Sequence, residues 1–163
     1  MSNIILSIVK GKEMIAEDIY YGCNSKWFDN LQQRYCDREY DFLPSHSGLP
    51  EGDLPQSIVD DYEEGEMFYG FSYITAGEFC EWFTKYHPNL RAGWLTAYEK
   101  WLLERKNIIP EDDTYATIRL EDDVDKDMFF CEWEDKNDGS LWLYNYLLEH
   151  EVYADATIIY YFG

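Results

Sequence analysis

The stretch Ser57–Tyr86, SIVDDYEEGEMFYGFSYITAGEFCEWFTKY, combines three patterns that decide the fold. A carboxylate-rich segment comes first, an aromatic run follows, and an apolar helical pattern closes the stretch. Thr75 and Glu78 have the spacing of a capping box, in which two side chains satisfy free amides at a helix start. The stretch therefore predicts a strand over Tyr69–Ile74 that leads directly into a helix, with a short helix over Gln56–Tyr62 before it.

The other elements are predicted from hydrophobic periodicity and turn residues. Strands are predicted at Asn3–Val9, Glu17–Tyr21, Thr114–Leu120, Met128–Trp133 and Ala156–Phe162. Helices are predicted from Asn24 or Ser25 to Tyr35, from Thr75 to Tyr86, from an Asn89 cap through Leu102, and over Ser140–Glu149 with Leu141, Tyr144, Leu147 and Leu148 facing inward. The last strand, ATIIYYF, is continuously apolar, which predicts burial on both faces and an interior place in the sheet. These elements indicate one acidic α+β domain over residues 1–163, a mixed sheet of about five or six strands with about four or five helices packed on it.

Charge and composition limit the classes of partner. The chain of 163 residues has 33 Asp and Glu against 13 Lys and Arg, a net charge of −20. This charge excludes nonspecific binding to nucleic acid or anionic membrane and favours basic protein surfaces. It also exceeds the magnitude of ~2–8 that keeps a small domain soluble. Aromatic residues make up 18% of the chain, which excludes a disordered acidic tail.

Cysteine and histidine spacing gives no metal or cofactor signature. Four cysteines and three histidines are scattered along the chain, with no CxxC pair. The N-terminal segment MSNIILSIVKGKEM has an apolar run too short for a signal peptide or a membrane span. We therefore expect free thiols, no metal, no cofactor and a cytoplasmic location.

No catalytic signature emerges from the motifs. The chain has no Gly-rich phosphate loop and no nucleophile elbow. Ser45, His46 and Ser47 lie within a loop-rich segment, residues 37–56, but no third orienting group is identifiable from the sequence. The acidic run Glu121–Asp127 lacks the Gly and Glu offsets of an EF-hand. We predict a binding protein and not an enzyme.

The candidate binding residues are carboxylates that recur beside large aromatic residues. Carboxylates on a rigid scaffold can occupy the basic groove of a nucleic-acid-binding protein, because duplex DNA carries one negative charge per ~1.7 Å of axis. The residues predicted to contact such a partner are Asp60, Asp61, Glu63, Glu64, Glu66, Asp112, Asp113, Glu121, Asp122, Asp123, Asp125 and Asp127. The sequence leaves the oligomeric state open.

Four further motifs follow one another from residue 38 to the end of the chain. They are Arg38-Glu39-Tyr40 with Phe42, Gly48-Leu49-Pro50 with Asp53, Ser72-Tyr73-Ile74-Thr75 with Glu78, and Ile158-Ile159-Tyr160-Tyr161-Phe162. In this order they resemble a family of small, largely uncharacterised phage and prophage proteins. The chain departs from the family pattern at Glu39, at Thr157 and at its end, where Gly163 is not followed by an acid. The resemblance implies a mobile-element origin and no particular reaction.

Charge and resemblance together predict a phage protein that inhibits a bacterial host or defence protein by mimicking nucleic acid. A first alternative is an anti-defence protein that sequesters a small signalling nucleotide. Its pocket would contain Arg38, Tyr40, Ser72, Tyr73 and Thr75, which offer stacking and phosphate-binding groups. A second alternative is an immunity protein for a basic toxin, which the acidity fits equally well.

Overall fold

A five-stranded antiparallel sheet forms the centre of the protein. The computed structural model describes residues 3–21, 27, 30–31, 43–108, 126–151 and 155–163. The strands are β1 (Ile4–Lys10), β2 (Glu13–Tyr21), β3 (His46–Ser47), β4 (Tyr69–Thr75), β5 (Leu90–Leu95), β6 (Phe129–Glu134) and β7 (Thr157–Phe162). The helices with described bounds are α1 (Gln56–Glu64), α2 (Ala76–Tyr86), α3 (Ala97–Lys106) and α4 (Gly139–Glu149). The central sheet has the order β2-β1-β7-β4-β3, and β5 pairs with β6 in a second, antiparallel sheet. These elements confirm the α+β class.

The terminal strand β7 is the central strand, as its apolar sequence predicted. The five residues from Ile158 to Phe162 are each at most 5% exposed. Because alternate side chains point to opposite faces, Tyr160 enters a larger core on one face and Tyr161 enters a smaller core on the other. Both faces of the sheet are covered, which explains why the strand lacks polar alternation.

The larger core lies between the sheet and the helices α2 and α4. The capping box predicted at Thr75 and Glu78 is present and starts α2, which buries Phe79 and Phe83. Helix α4 buries Leu143 and Leu147, which are one helical turn apart. Two core residues from the predicted helix at residues 24–35, Trp27 and Leu31, are helical and complete this face.

One part of the α4 prediction is wrong. Leu148 is 40% exposed, and the buried residue that was not predicted is Leu143. Leu148 follows Leu147 by one residue, which turns it about 100° away from the buried stripe. Leu141 and Tyr144 are half-buried and pack against the larger core, as expected.

The smaller core is covered by α1 and by the loop before it. Ile58 of α1 is 1% exposed and packs with Ile159 and Tyr161 of β7. Leu49 and Leu54 from the loop are half-buried against the same cluster. Of the loop predicted over residues 37–56, the structure describes residues 43–56, and this part contains the short strand β3.

A glycine is required where β4 passes over the end of β7. Gly70 has a φ of +67°, and a Cβ at this position would lie 2.7 Å from the Phe162 ring. The pairing of β4 with β7 shifts register between Tyr69 and Ser72, which marks a bulge at this point. Only glycine combines this conformation with such close packing.

The helix predicted from Asn89 through Leu102 is wrong over its first half. Leu90–Leu95 is strand β5, which pairs with Phe129–Glu134. Its side chains alternate in burial, with Leu90 exposed and Leu95 fully buried. The helix begins only after Thr96, which forms a second capping box with Glu99.

Two predictions fall on other parts of the chain. The strand predicted at Thr114–Leu120 lies outside the described residues, and so does most of the helix predicted to end at Tyr35. Of the helices whose bounds are described, none has both the length and the apolar character needed to cross a membrane.

Candidate functional site

The layer that covers the smaller core is strongly and uniformly acidic. Within residues 48–68, hereafter the acidic layer, there are seven carboxylates and no lysine or arginine: Glu51, Asp53, Asp60, Asp61, Glu63, Glu64 and Glu66. All of them except Asp61 are exposed. Among the described residues, none of these carboxylates forms an ion pair with a lysine or arginine.

Helix α1 decides which of its carboxylates face outward. Ile58 anchors the helix in the core, and Asp61, one turn later, accepts a hydrogen bond of 2.5 Å from the buried Tyr161 hydroxyl. Asp60, Glu63 and Glu64 lie on the opposite, exposed side. The structure therefore brings four of the five predicted acids, including Glu66 after the helix, to the surface and uses Asp61 to fix the helix on the sheet.

Two large apolar side chains lie exposed within the acidic layer, and a third, Tyr69, follows it in the chain but packs on Phe162 of the larger core. Tyr62, Met67 and Tyr69 are 49%, 64% and 51% exposed. Tyr62 contacts the Phe71 ring edge-to-face, with 5.1 Å between ring centroids. Tyr69 is stacked on Phe162 at 5.7 Å. Both tyrosine rings are held by core aromatics, so they offer apolar contact area at low entropic cost.

Sequence reasoning missed part of this layer. The predicted contact set contains neither Glu51 nor Asp53, which lie in the loop before α1. The available signal was the absence of any lysine or arginine between Arg38 and Lys85, a gap in which every charged residue is acidic.

The second predicted acidic cluster is described only at its end. Asp127 is exposed in the turn before β6. The remaining predicted acids of that cluster lie outside the described residues: Asp112, Asp113, Glu121, Asp122, Asp123 and Asp125.

The residues of the predicted nucleotide pocket do not all share one face. Tyr73 and Thr75 lie on the face of β4 that carries the smaller core, whereas Ser72 is paired with Tyr160 on the other face. Arg38 and Tyr40 lie outside the described residues. Ser72 is therefore separated by the sheet from the two residues with which it would line a pocket.

His46 has a carboxylate partner that the sequence did not reveal. Its Nε2 atom lies 3.0 Å from Glu78 Oε2, and its ring packs on Tyr73 at 5.0 Å between centroids. Although partial burial acts to raise it, hydrogen bonds from His46 and Thr75 hold the pKa of Glu78 below its ordinary value. The contact ties β3 to the start of α2.

Ser45 points away from this histidine. Its Oγ lies 2.5 Å from the hydroxyl of Tyr160, which also donates to the Leu31 carbonyl at 3.2 Å. Ser45 thus lies on the larger-core side of the sheet through its contact with Tyr160, while His46 packs on Tyr73 on the other side. The two side chains do not form a nucleophile–base pair.

The described side chains form no grouping typical of a metal site. Within residues 3–17, 27, 30–31, 43–108, 126–151 and 155–163, no three His, Cys, Asp or Glu side chains are grouped as a metal ion would require. Cys80 and Cys131 are free thiols.

The chain was compared with protein-family models, with curated proteins and with solved structures, and none of the three comparisons gives a match.

Proposed function

We propose that this protein is a non-enzymatic binding protein whose acidic layer takes the place of nucleic acid in the basic groove of a protein partner. The observation that carries the proposal is the segregation of charge. Residues 48–68 display six exposed carboxylates without a neutralising cation in the segment. A partner surface of lysine and arginine would supply the missing countercharge.

The spacing of the carboxylates supports a nucleic-acid mimic. Helix α1 has nine residues and four carboxylates. The four lie within its last five residues, about 7.5 Å of axis, which gives one carboxylate per roughly 1.9 Å, close to the ~1.7 Å per charge of duplex DNA. Asp61 is tied to Tyr161, so the outward spacing is somewhat wider.

The exposed apolar side chains add a hydrophobic contribution to binding that charge alone does not supply. Tyr62 and Met67 lie among the carboxylates, so a partner can bury apolar area while its cations pair with the acids. Interfaces combine these two kinds of contact, with aromatic anchors providing affinity and charges providing rapid, specific association. The partner expected is therefore basic and has an apolar contact within its groove.

The resemblance to phage and prophage proteins directs the choice of partner to bacterial proteins. A phage-encoded inhibitor of a host nuclease, repressor or defence protein would use the surface as described. An immunity protein for a basic toxin would use the same surface chemistry, and the identity of the partner separates the two roles.

The test is a competition assay with purified bacterial nucleases and repressors whose grooves bind fluorescent duplex DNA. We expect the protein to displace the DNA from its partner, with an affinity that falls as the NaCl concentration rises. The variant D60N/E63Q/E64Q/E66Q removes four exposed charges of the acidic layer. We expect it to compete less well by on the order of tenfold or more, because both charge pairing and steering are lost.

A matched variant controls for net charge. E13Q/E17Q/E81Q/E149Q removes four exposed charges outside the acidic layer. It should compete nearly as well as the unmodified protein. Equal losses in both variants would show that only net charge matters, and no displacement by the unmodified protein at low salt would contradict the proposal.

A further inference from the structure

Helix α3 packs beside β5 and β6 of the second sheet and exposes aromatic side chains. None of its residues is buried. Tyr98 and Trp101 are 68% and 47% exposed, and their rings are stacked at 6.3 Å with an interplanar angle of 16°. Trp101 is further covered by the Lys106 ammonium, 5.8 Å from the ring centroid. The two rings form a preorganised flat surface, and such surfaces of monomeric proteins usually mark contacts.

The charge of α3 differs from that of the rest of the chain. It carries Lys100, Arg105 and Lys106 against Glu99 and Glu104, a net charge of +1, whereas α1 carries four carboxylates and no cation. Two copies of a chain with a charge of −20 repel each other almost everywhere. The repulsion is weakest where cations and exposed apolar groups coincide, and among the described helices only α3 has a net positive charge.

We propose that α3 is the contact surface for a second copy of this chain, in an antiparallel, two-fold symmetric pair of helices. Tyr98 lies near the N-terminal end of α3 and Arg105 near its C-terminal end, both on the exposed face with Trp101 between them. A two-fold axis close to Trp101 places the Tyr98 ring of one copy beside the Arg105 guanidinium of the other, and the reverse. Arginine over an aromatic face is a favourable pair. The α3 surface is thus complementary to itself.

The available area predicts a weak, reversible dimer. With roughly 200 Å² for each aromatic side chain, Tyr98, Trp101 and the neighbouring Phe129 expose roughly 300 Å² in all. Phe129 is 44% exposed and lies under the Lys100 ammonium at 4.7 Å. A standard interface buries ~800 Å² per partner, so this aromatic area lies well below that size and fits only a weak, transient contact. The dimer should therefore be populated only at high protein concentrations.

Sedimentation velocity on the full chain, over a range of protein and NaCl concentrations, tests this proposal. The weight-average mass should rise from 19.5 kDa toward twice that value with increasing protein concentration. Added salt should strengthen the dimer, because it screens the repulsion between two acidic copies. Added salt should instead weaken binding of a basic partner. Because the two expected salt effects are opposite, failure of the dimer proposal can be distinguished from failure of the proposed function.

Two tryptophans with similar exposure provide a matched pair of variants. Trp101→Glu should weaken dimerisation on the order of tenfold or more, as expected for a central aromatic contact. Trp142→Glu on α4, where the tryptophan is 43% exposed, should leave dimerisation unchanged. Arg105→Glu should weaken the dimer as well, since it replaces the complementary cation by a repelling charge.

Folding of each variant is checked by circular dichroism, and α3 buries no side chain whose loss would unfold the core. A monomeric mass for the unmodified protein at all protein and salt concentrations would overturn the proposal. Equal weakening by Trp101→Glu and Trp142→Glu would do the same. A dimer that dissociates as salt is added would show that another, charge-paired surface holds the two copies together.

Discussion

Arg91 is, with Asp138, one of two charged residues that are buried in the described part of the chain. It is 9% exposed, and its Nη2 atom lies 2.5 Å from Asp138 and 3.4 Å from Asp135. The same guanidinium donates to the Pro88 carbonyl. Asp138 in turn accepts from the Ser140 amide at 2.8 Å and caps α4. One arginine therefore joins β5 to the start of a core helix.

Arg91→Met should destabilise the protein by about 3–5 kcal/mol, because it leaves the buried carboxylate of Asp138 without its countercharge. Lys100→Met is the comparison, since its ion pair with Glu104 spans 3.7 Å at the surface. That substitution should cost less than about 1 kcal/mol. Urea denaturation of both variants measures the difference, and similar midpoints would contradict the assigned role of Arg91.

At the scale of elements, two helices begin with the same capping box and differ in what they bury. Thr75 and Glu78 start α2, which buries four residues, and Thr96 and Glu99 start α3, which buries none. Thr75→Ala should lower the free energy of unfolding by about 1 kcal/mol, because the global core depends on α2. Thr96→Ala should instead increase hydrogen exchange within α3 while the global transition changes little. An equal decrease in the global free energy of unfolding for both variants would show that α3 unfolds only together with the core.

The α2 cap also predicts a direction of pH dependence. Hydrogen bonds from His46 and Thr75 outweigh partial burial and hold the pKa of Glu78 below that of a free glutamate. A lowered pKa in the folded state stabilises the protein above the unfolded-state pKa, and this contribution is lost as pH falls through the lowered value. Glu78→Gln should therefore reduce the loss of stability between neutral and acidic pH, which acid titration of both proteins measures.

At the scale of the whole molecule, charge opposes folding as well as self-association. Thirty-three acids against thirteen bases repel one another in the compact state. The melting temperature should rise between ~0.01 M and ~1 M NaCl, where the Debye length falls from ~30 Å to ~3 Å. D60N/E63Q/E64Q/E66Q should show a smaller rise than E13Q/E17Q/E81Q/E149Q, because its charges lie in a segment without cations. Calorimetry on the three proteins measures this, and identical salt dependence would show that the acidic layer is not a local concentration of repulsion.

The candidate site was predictable in its chemistry and only partly in its geometry. The sequence indicated that Asp60, Glu63, Glu64 and Glu66 act together, and the structure places them on one exposed layer. It did not indicate that Asp61 bonds to Tyr161, because the partner is supplied by a strand 100 residues away. The same limit applies to Ser72, whose orientation depends on the register of β4 against β7.

The sequence by itself determined the elements whose signals are local. The capping box of α2 and the interior position of the continuously apolar β7 each depend on neighbouring side chains, and both predictions are confirmed. Tertiary structure alone decided that Leu90–Leu95 is a strand. Its apolar residues fit a helix as well as a strand, and pairing with Phe129–Glu134 satisfies its backbone groups only after the chain has returned. Long-range hydrogen bonding, which no local pattern encodes, therefore formed the second sheet and left α3 exposed beside it.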